Sequence, residues 1–192
     1  MRTYTKIPDD TFNKMIRNAG ILLIGQDSFV PESKTLKESA IIGATSGGIS
    51  FTDTVSYVDL GENIDNCPKN TKELKDVESR EVKLSGTFKT VDGNTLAMLL
   101  GPADYKSDEK TVIARDVINT ADFKEIWWVC DYSGTDGGFI AINLKNTLST
   151  GGLSIQSADA ESGEISFEFT CHYSIESEDV VPYTIYIDGT AA

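Results

Sequence analysis

His172 is the only histidine in this chain and directly follows Cys171. A serine or cysteine nucleophile activated by imidazole would have to be built around it. The two are neighbours in EISFEFTCHYSI (residues 164–175), whose strict alternation reads as a strand, so their side chains point to opposite faces and cannot act as nucleophile and base. His172 is expected on the solvent side, with Cys171 a small core residue. One histidine and three scattered cysteines, Cys67, Cys130 and Cys171, supply no zinc pattern, and no DxDxDG calcium loop occurs. The cysteines are odd in number, lack CxxC spacing and read as reduced thiols. Paired carboxylates suffice for a glycosidase, and among 30 acidic residues Asp53 stands out because it interrupts the apolar face of a strand. A polar residue at a sheet end or in a salt bridge explains it as well. Trp127 and Trp128 are adjacent, so one is expected in the core and the other on the opposite surface. There, with Tyr132, it could stack on a sugar or enter a subunit contact. Gly47-Gly48, Gly134 to Gly138 and Gly151-Gly152 follow no phosphate-loop spacing and read as turns. No catalytic constellation emerges, and neither cofactor nor metal is expected.

The elements that would position these residues are mostly strands. ISFTDTVSYVDL (residues 49–60) alternates Ile49, Phe51, Val55 and Tyr57 against Ser50, Thr52, Thr54 and Ser56. VESREVKLSGTFKTV (residues 77–91) alternates Val82, Leu84 and Phe88 against Glu81, Lys83, Ser85, Thr87 and Lys89. Period two with one apolar face marks half-buried antiparallel strands, here longer than usual. Between them runs GENIDNCPKNTKELKDVESR (residues 61–80), far longer than the two to five residues a hairpin needs. A short helix is expected over residues 10–18, behind Asp9 and Asp10, with Phe12, Met15, Ile16 and Ala19 at helical spacing. A second is expected over Thr95 to Leu100, capped by Asn94 and stopped by Gly101 and Pro102. Ile21 to Gly25, Ala40 to Ala44, Glu125 to Tyr132, Gly138 to Leu144, Leu153 to Ile155, residues 164–175 and Tyr183 to Ile187 read as further strands. SGTDG at 133–137 joins two of them as a hairpin. The expected fold is mainly β: an antiparallel β-sandwich or barrel with one or two short flanking helices, in a single domain over residues 1–192.

Composition narrows the function classes. The 17 basic and 30 acidic residues give a formal net charge of −13, which argues against direct binding to a nucleic-acid backbone, since phosphate contacts need clustered Lys or Arg. The charge fits a solubilising surface, and equally one that a polyanion passes without sticking. No apolar run approaches the roughly 20 residues that cross a bilayer. MRTYTKIPDDTF, at the start, lacks the apolar stretch of a signal peptide, so synthesis and folding in the cytoplasm are expected.

The order of certain phrases carries a resemblance. NAGILL (residues 18–23) after a short helix, GGISFTDTVSYVDLGENIDNCP (47–68), TKELKDVESREVKLSGTF (71–88) and LAMLLGPAD (96–104) resemble the major tail (tail tube) proteins of long-tailed bacteriophages and prophages. The likeness covers about the first half of the chain. It implies a β-sandwich or barrel flanked by a helix, a fold shared with the type VI secretion tube protein and contractile tail tubes. Six copies would form a ring, and rings would stack into a hollow tube for DNA delivery. The partners implied are further copies of the chain and other tail proteins such as the tape measure and terminator, with DNA passing unbound and the virion tail as location. No added C-terminal immunoglobulin-like domain is expected. On this reading Ser50, Thr52, Thr54, Glu81, Lys83, Ser85, Thr87 and Lys89 face the lumen, where acidic groups repel phosphates. The loop at about 61–80, through Glu62, Asp65, Lys69, Lys72, Glu73, Lys75, Asp76, Glu78 and Arg80, reaches the adjacent ring and orders on assembly. A carbohydrate-binding β-sandwich, or a glycosidase using Asp53, is the alternative.

Overall fold

The computed structural model describes residues 4, 6–9, 11–132 and 138–188. Its strands are β1 (Ile21–Ile24), β2 (Phe29–Val30), β3 (Thr35–Leu36), β4 (Thr45–Asp59) and β5 (Lys75–Phe88), then, after helix α1 (Gly93–Leu100), β6 (Ala103–Lys106), β7 (Thr111–Ala114) and β8 (Lys124–Asp131). β9 (Phe139–Ser149), β10 (Ser154–Gln156), β11 (Glu164–Cys171) and β12 (Tyr183–Asp188) complete the set. The main sheet runs β1-β8-β9-β11-β5-β4, with β10 added to β11 and β12 to β9, while β2-β3 and β6-β7 are separate hairpins. Every pairing is antiparallel. Among the described residues the protein is mainly β with one α-helix, in line with the mainly β fold and one or two short helices expected.

β9 bends the sheet. One of its edges pairs with β8, and the other serves β12 along Phe139 to Leu144 and then β11 from Thr147 to Ser149. Between these stretches Asn146 takes a φ of 50°, a conformation that asparagine tolerates better than most residues. The bend lets non-neighbouring strands share one core: Leu22 of β1, Val82, Leu84 and Phe88 of β5, Trp128 and Ile126 of β8, Leu144 of β9 and Phe167 and Phe169 of β11, closed by Leu99 from α1. Each such fully buried Leu or Phe contributes about 1.5–3 kcal/mol. A second cluster covers the opposite face of β8, where Trp127 and Val129 meet Leu23, Phe29, Ala40, Phe139 and Ala141. The adjacent tryptophans do point to opposite faces, yet both are buried, at 5% and 8% exposure. The segment carrying Phe29 and Ala40 folds over what would otherwise be the outer face.

Several local expectations shift. The helix expected over residues 10–18 is a single 3-10 turn, Thr11–Lys14. By Ile16 the chain is extended, because Ile16 bridges to Tyr132 and the Arg17 N–H donates to the Asp131 carbonyl at 3.1 Å. Pairing with the end of β8 replaces the helical hydrogen bonds, and Phe12, Met15 and Ile16 stay exposed. Asp10 and the 133–137 turn lie outside the described residues. Asp92, not Asn94, caps α1, accepting from the Thr95 N–H at 2.7 Å. Residues 40–44 contribute only a bridge from Ile41 to Leu23. β11 ends at Cys171, leaving Tyr173 and Ile175 exposed. The β6-β7 hairpin had no counterpart in the sequence reading.

Candidate assembly surface

The β4-β5 pair follows from the alternation described above. Its register sets Ser50 opposite Ser85, Thr52 opposite Lys83 and Thr54 opposite Glu81 on one face, while Phe51 opposes Leu84 and Asp53 opposes Val82 on the other. β11 carries both faces one strand further: Lys83 to Thr170, Ser85 to Glu168 and Thr87 to Ser166 on the polar side, Leu84 to Phe169 on the core side. The Thr150 hydroxyl joins the polar side, 2.6 Å from that of Thr170 and 3.2 Å from Glu168 Oε1. Seven of the proposed lumen residues, Ser50, Thr52, Thr54, Glu81, Lys83, Ser85 and Thr87, are thus gathered on one hydroxyl-rich face. Lys89 lies just past the end of β5, where its Nζ is 2.7 Å from Glu164 Oε1.

The charges on this face are paired. Lys83 Nζ sits 2.9 Å from Glu81 Oε1 and 3.7 Å from Glu168 Oε1. The hydrogen bond to Glu81 is the main cause that raises the Lys83 pKa, against the opposing pull of partial burial. Glu81, Glu164 and Glu168 stand against Lys83 and Lys89, so the face is close to neutral, and hydroxyls rather than carboxylates dominate it. The acidic wall expected from net charge is not what these strands present.

β11 follows β5 only as far as Lys83. Beyond it, residues 53–59 and 75–82 form a two-stranded ribbon, and among the described residues β4 pairs only with β5. A bulge between Ser56 and Tyr57 increases the ribbon's twist. The connection at its tip spans 60–74, shorter than the 61–80 expected, because β5 starts at Lys75. Of the interface candidates, Glu62, Asp65 and Lys69 are exposed in the tip turns, and Lys72 and Glu73 form an exposed pair in a 3-10 turn at 3.4 Å. Lys75, Asp76, Glu78 and Arg80 belong to β5. Arg80 does not project outward: it turns to the core side and pairs with Asp53, and burial that would lower its pKa is outweighed by Asp53 and Tyr183.

The tip supplies its own order. The Asp59 carboxylate accepts from the Gly61 N–H at 3.0 Å and the Asn70 N–H at 2.8 Å, Leu60 N–H reaches the Leu74 carbonyl at 2.9 Å, and Lys75 Nζ reaches Asn70 Oδ1 at 2.7 Å. The bond from Asn70, then that from Gly61, holds the Asp59 carboxyl below its usual range. The turn residues were legible as turn formers. Asp59 as their organiser was not, since its partner lies 11 residues away.

The enzymatic and sugar-binding candidates resolve differently. Asp53 is held by Arg80 and by the Tyr183 hydroxyl at 2.6 Å. Trp127 and Trp128 spend their indole N–H groups on the Gln26 and Ala19 carbonyls and offer no exposed platform. His172 is half-buried, edge-on to Phe123 and 3.3 Å from the Asn146 carbonyl, rather than solvent-facing, because β11 has ended. Among the described residues no cluster of three or more His, Cys, Asp or Glu could hold a metal, and no helix is long and apolar enough to cross a membrane.

No protein-family model matches the chain, and no curated protein matches it. Solved structures with a likeness to it include a chain from the virion of a native gene transfer agent particle, at 10% identity over 82% of this chain and 95% of that one, with a TM-score of 0.40. Another comes from the tail of an empty gene transfer agent particle with C6 symmetry, at 11% identity over 82% and 96%, with a TM-score of 0.40. Both likenesses are too distant to assign this chain a role.

Proposed function

We propose that this chain is the structural subunit of a phage-type tail tube, and that copies of it join head to tail into hexameric rings that stack into a channel for DNA. The reading rests on the resemblance of the first half of the chain to major tail proteins. The observation that carries it further is the register of β4, β5 and β11, which puts a continuous hydroxyl-rich surface on one side and the hydrophobic core on the other. Such a face can line a water-filled channel. Its paired charges offer a passing duplex neither cations to hold it nor a strong repulsive field, and with a Debye length of about 8 Å at physiological salt the remaining acidic groups act only at short range. The edge of β4 without a ladder partner would otherwise invite uncontrolled pairing, and a repeated contact around a closed ring resolves that. The tip at 60–74, with Glu62, Asp65, Lys69, Lys72 and Glu73 exposed, would meet the next ring. Lys75, Asp76 and Glu78 flank that contact.

Negative-stain electron microscopy of the concentrated protein, paired with sedimentation velocity across a concentration series, tests the proposal. Rings or tubes with a central channel are expected. A monomer at every concentration and salt would count against the assembly reading.

A further inference from the structure

Where the ribbon leaves the body, a charged cluster occupies a position that packing alone would give to an aliphatic residue. Asp53 lies on the core-facing side of β4, between Phe51 and Val55, with 17% of its side chain exposed. Its Oδ2 accepts from Arg80 Nη1 and from the Tyr183 hydroxyl at 2.6 Å, and Arg80 Nη1 also donates to the Tyr183 hydroxyl oxygen at 3.2 Å. Asp53 Oδ1 is buried without a hydrogen-bond partner, which a folded chain tolerates only at a cost. Tyr183 opens β12, on the other half of the bent sheet, and its ring meets Phe51 edge-on at 5.4 Å between centroids. The cluster therefore ties both strands of the ribbon to a strand that pairs with neither, within three residue pairs of the point where β11 stops supporting β5 at Lys83. Apolar contacts permit sliding, whereas charge-assisted hydrogen bonds select one geometry.

We propose that Asp53, Arg80 and Tyr183 form a latch that sets the angle of the β4-β5 ribbon against the body of the subunit. Breaking it lets the ribbon swing about its root while its own ladder stays intact. A partly buried salt bridge often adds little net stability, and replacing both of its partners by apolar residues of similar volume can stabilise a fold, whereas removing one partner strands the other charge. This separates a latch from a mere structural bond. Asp53→Val combined with Arg80→Met removes both charges and should leave the thermal midpoint unchanged or raised while still loosening the ribbon. Tyr183→Phe keeps the ring on Phe51 and removes only the hydroxyl.

The test places spin labels at Lys72→Cys on the tip and Ser107→Cys in the β6-β7 turn, in a Cys67→Ser background, in a dilute solution of the protein. Burial of the other two cysteines pushes their thiols up to about 11 for Cys130 and about 12 for Cys171, so they resist labelling. With the native latch a single narrow distance distribution is expected. In the Asp53→Val, Arg80→Met double variant and in Tyr183→Phe the population at other distances should rise about tenfold, the loss of the charge-assisted bond that ties Tyr183 to the ribbon. Distributions identical to the parent in both variants would overturn the latch. So would broadening that appears only together with global destabilisation. The measurement concerns the free subunit, so its outcome is independent of whether rings form.

Discussion

Gly20 lies between the Ile16 bridge and β1, where the chain runs antiparallel alongside β8, and replacing it with alanine should be costly for two separable reasons. Its φ is +73°, and a Cβ there would sit 2.5 Å from the Val129 carbonyl oxygen, 2.6 Å from Trp128 Nε1 and 2.7 Å from Cys130 Cβ. A left-handed backbone costs an alanine about 1–2 kcal/mol. The collision involves a main-chain oxygen and a buried indole that already donates to the Ala19 carbonyl at 2.9 Å, so relief requires β8 or the segment paired with it to move. Overpacking of this kind costs about 1–3 kcal/mol. Together Gly20→Ala should lose about 2–5 kcal/mol, which for a domain of this size lowers the midpoint by roughly 5–15 °C. Gly47 is the control. Its φ is +77° but nothing lies within 4 Å of its Cβ position, so Gly47→Ala pays the backbone strain alone, about 1–2 kcal/mol. Thermal unfolding followed by near-ultraviolet circular dichroism reads both the midpoint and the environment of Trp128. Equal midpoints for the two variants would refute the collision argument, as would an unchanged Trp128 signal in Gly20→Ala.

Asp92→Ala should cost about 1 kcal/mol through loss of the α1 cap, read by chemical denaturation. The Thr95 N–H holds the Asp92 carboxyl below its ordinary value of 3.8; its contribution is therefore fully present above that value and lost as pH falls through the lower folded-state pKa, so parent and variant should converge in acid. Ser50→Arg with Thr52→Arg adds cations to the exposed polar face of β4 and should change monomer stability by no more than about 0.5 kcal/mol. Assembled tubes of that variant should retain duplex DNA in a salt-dependent way that parent tubes do not, and equal retention by both in a filter-binding assay would argue against a luminal position. A thiol reagent at mildly alkaline pH should modify Cys67 in the native protein and reach Cys130 and Cys171 only in denaturant, because burial raises both of their pKa values to about 11 and about 12. Three reactive thiols in the folded state would contradict the packing.

Local pattern carried the strands. The faces of residues 49–55 and 82–88 were readable because side chains alternate with period two, and a half-buried sheet writes that alternation directly into the chain; Tyr57, which the alternation put on the apolar face, is exposed past the bulge at Ser56. Ile165, Phe167, Phe169 and Cys171 were legible for the same reason, and all four are buried. The ends of elements were not, because they depend on partners distant in sequence. The helix expected behind Asp9 and Asp10 yields to a bridge with Tyr132, more than a hundred residues away. β5 begins at Lys75 because β4 continues to Asp59 and pairs with it.

What the sequence determined by itself is a chain of amphipathic strands, since the period-two alternation of residue types decides that. Tertiary structure decided which polar faces meet. Thr52, Lys83 and Thr170 become neighbours only through the pairing of β11 with β5, and the approach of Glu81 and Glu168 to Lys83 turns a strongly acidic composition into a nearly neutral surface. Asp53 shows the same division. Its interruption of an apolar face was visible in the alternation, but its partners, Arg80 across the hairpin and Tyr183 at a separation of 130 residues, exist only once the sheet has bent.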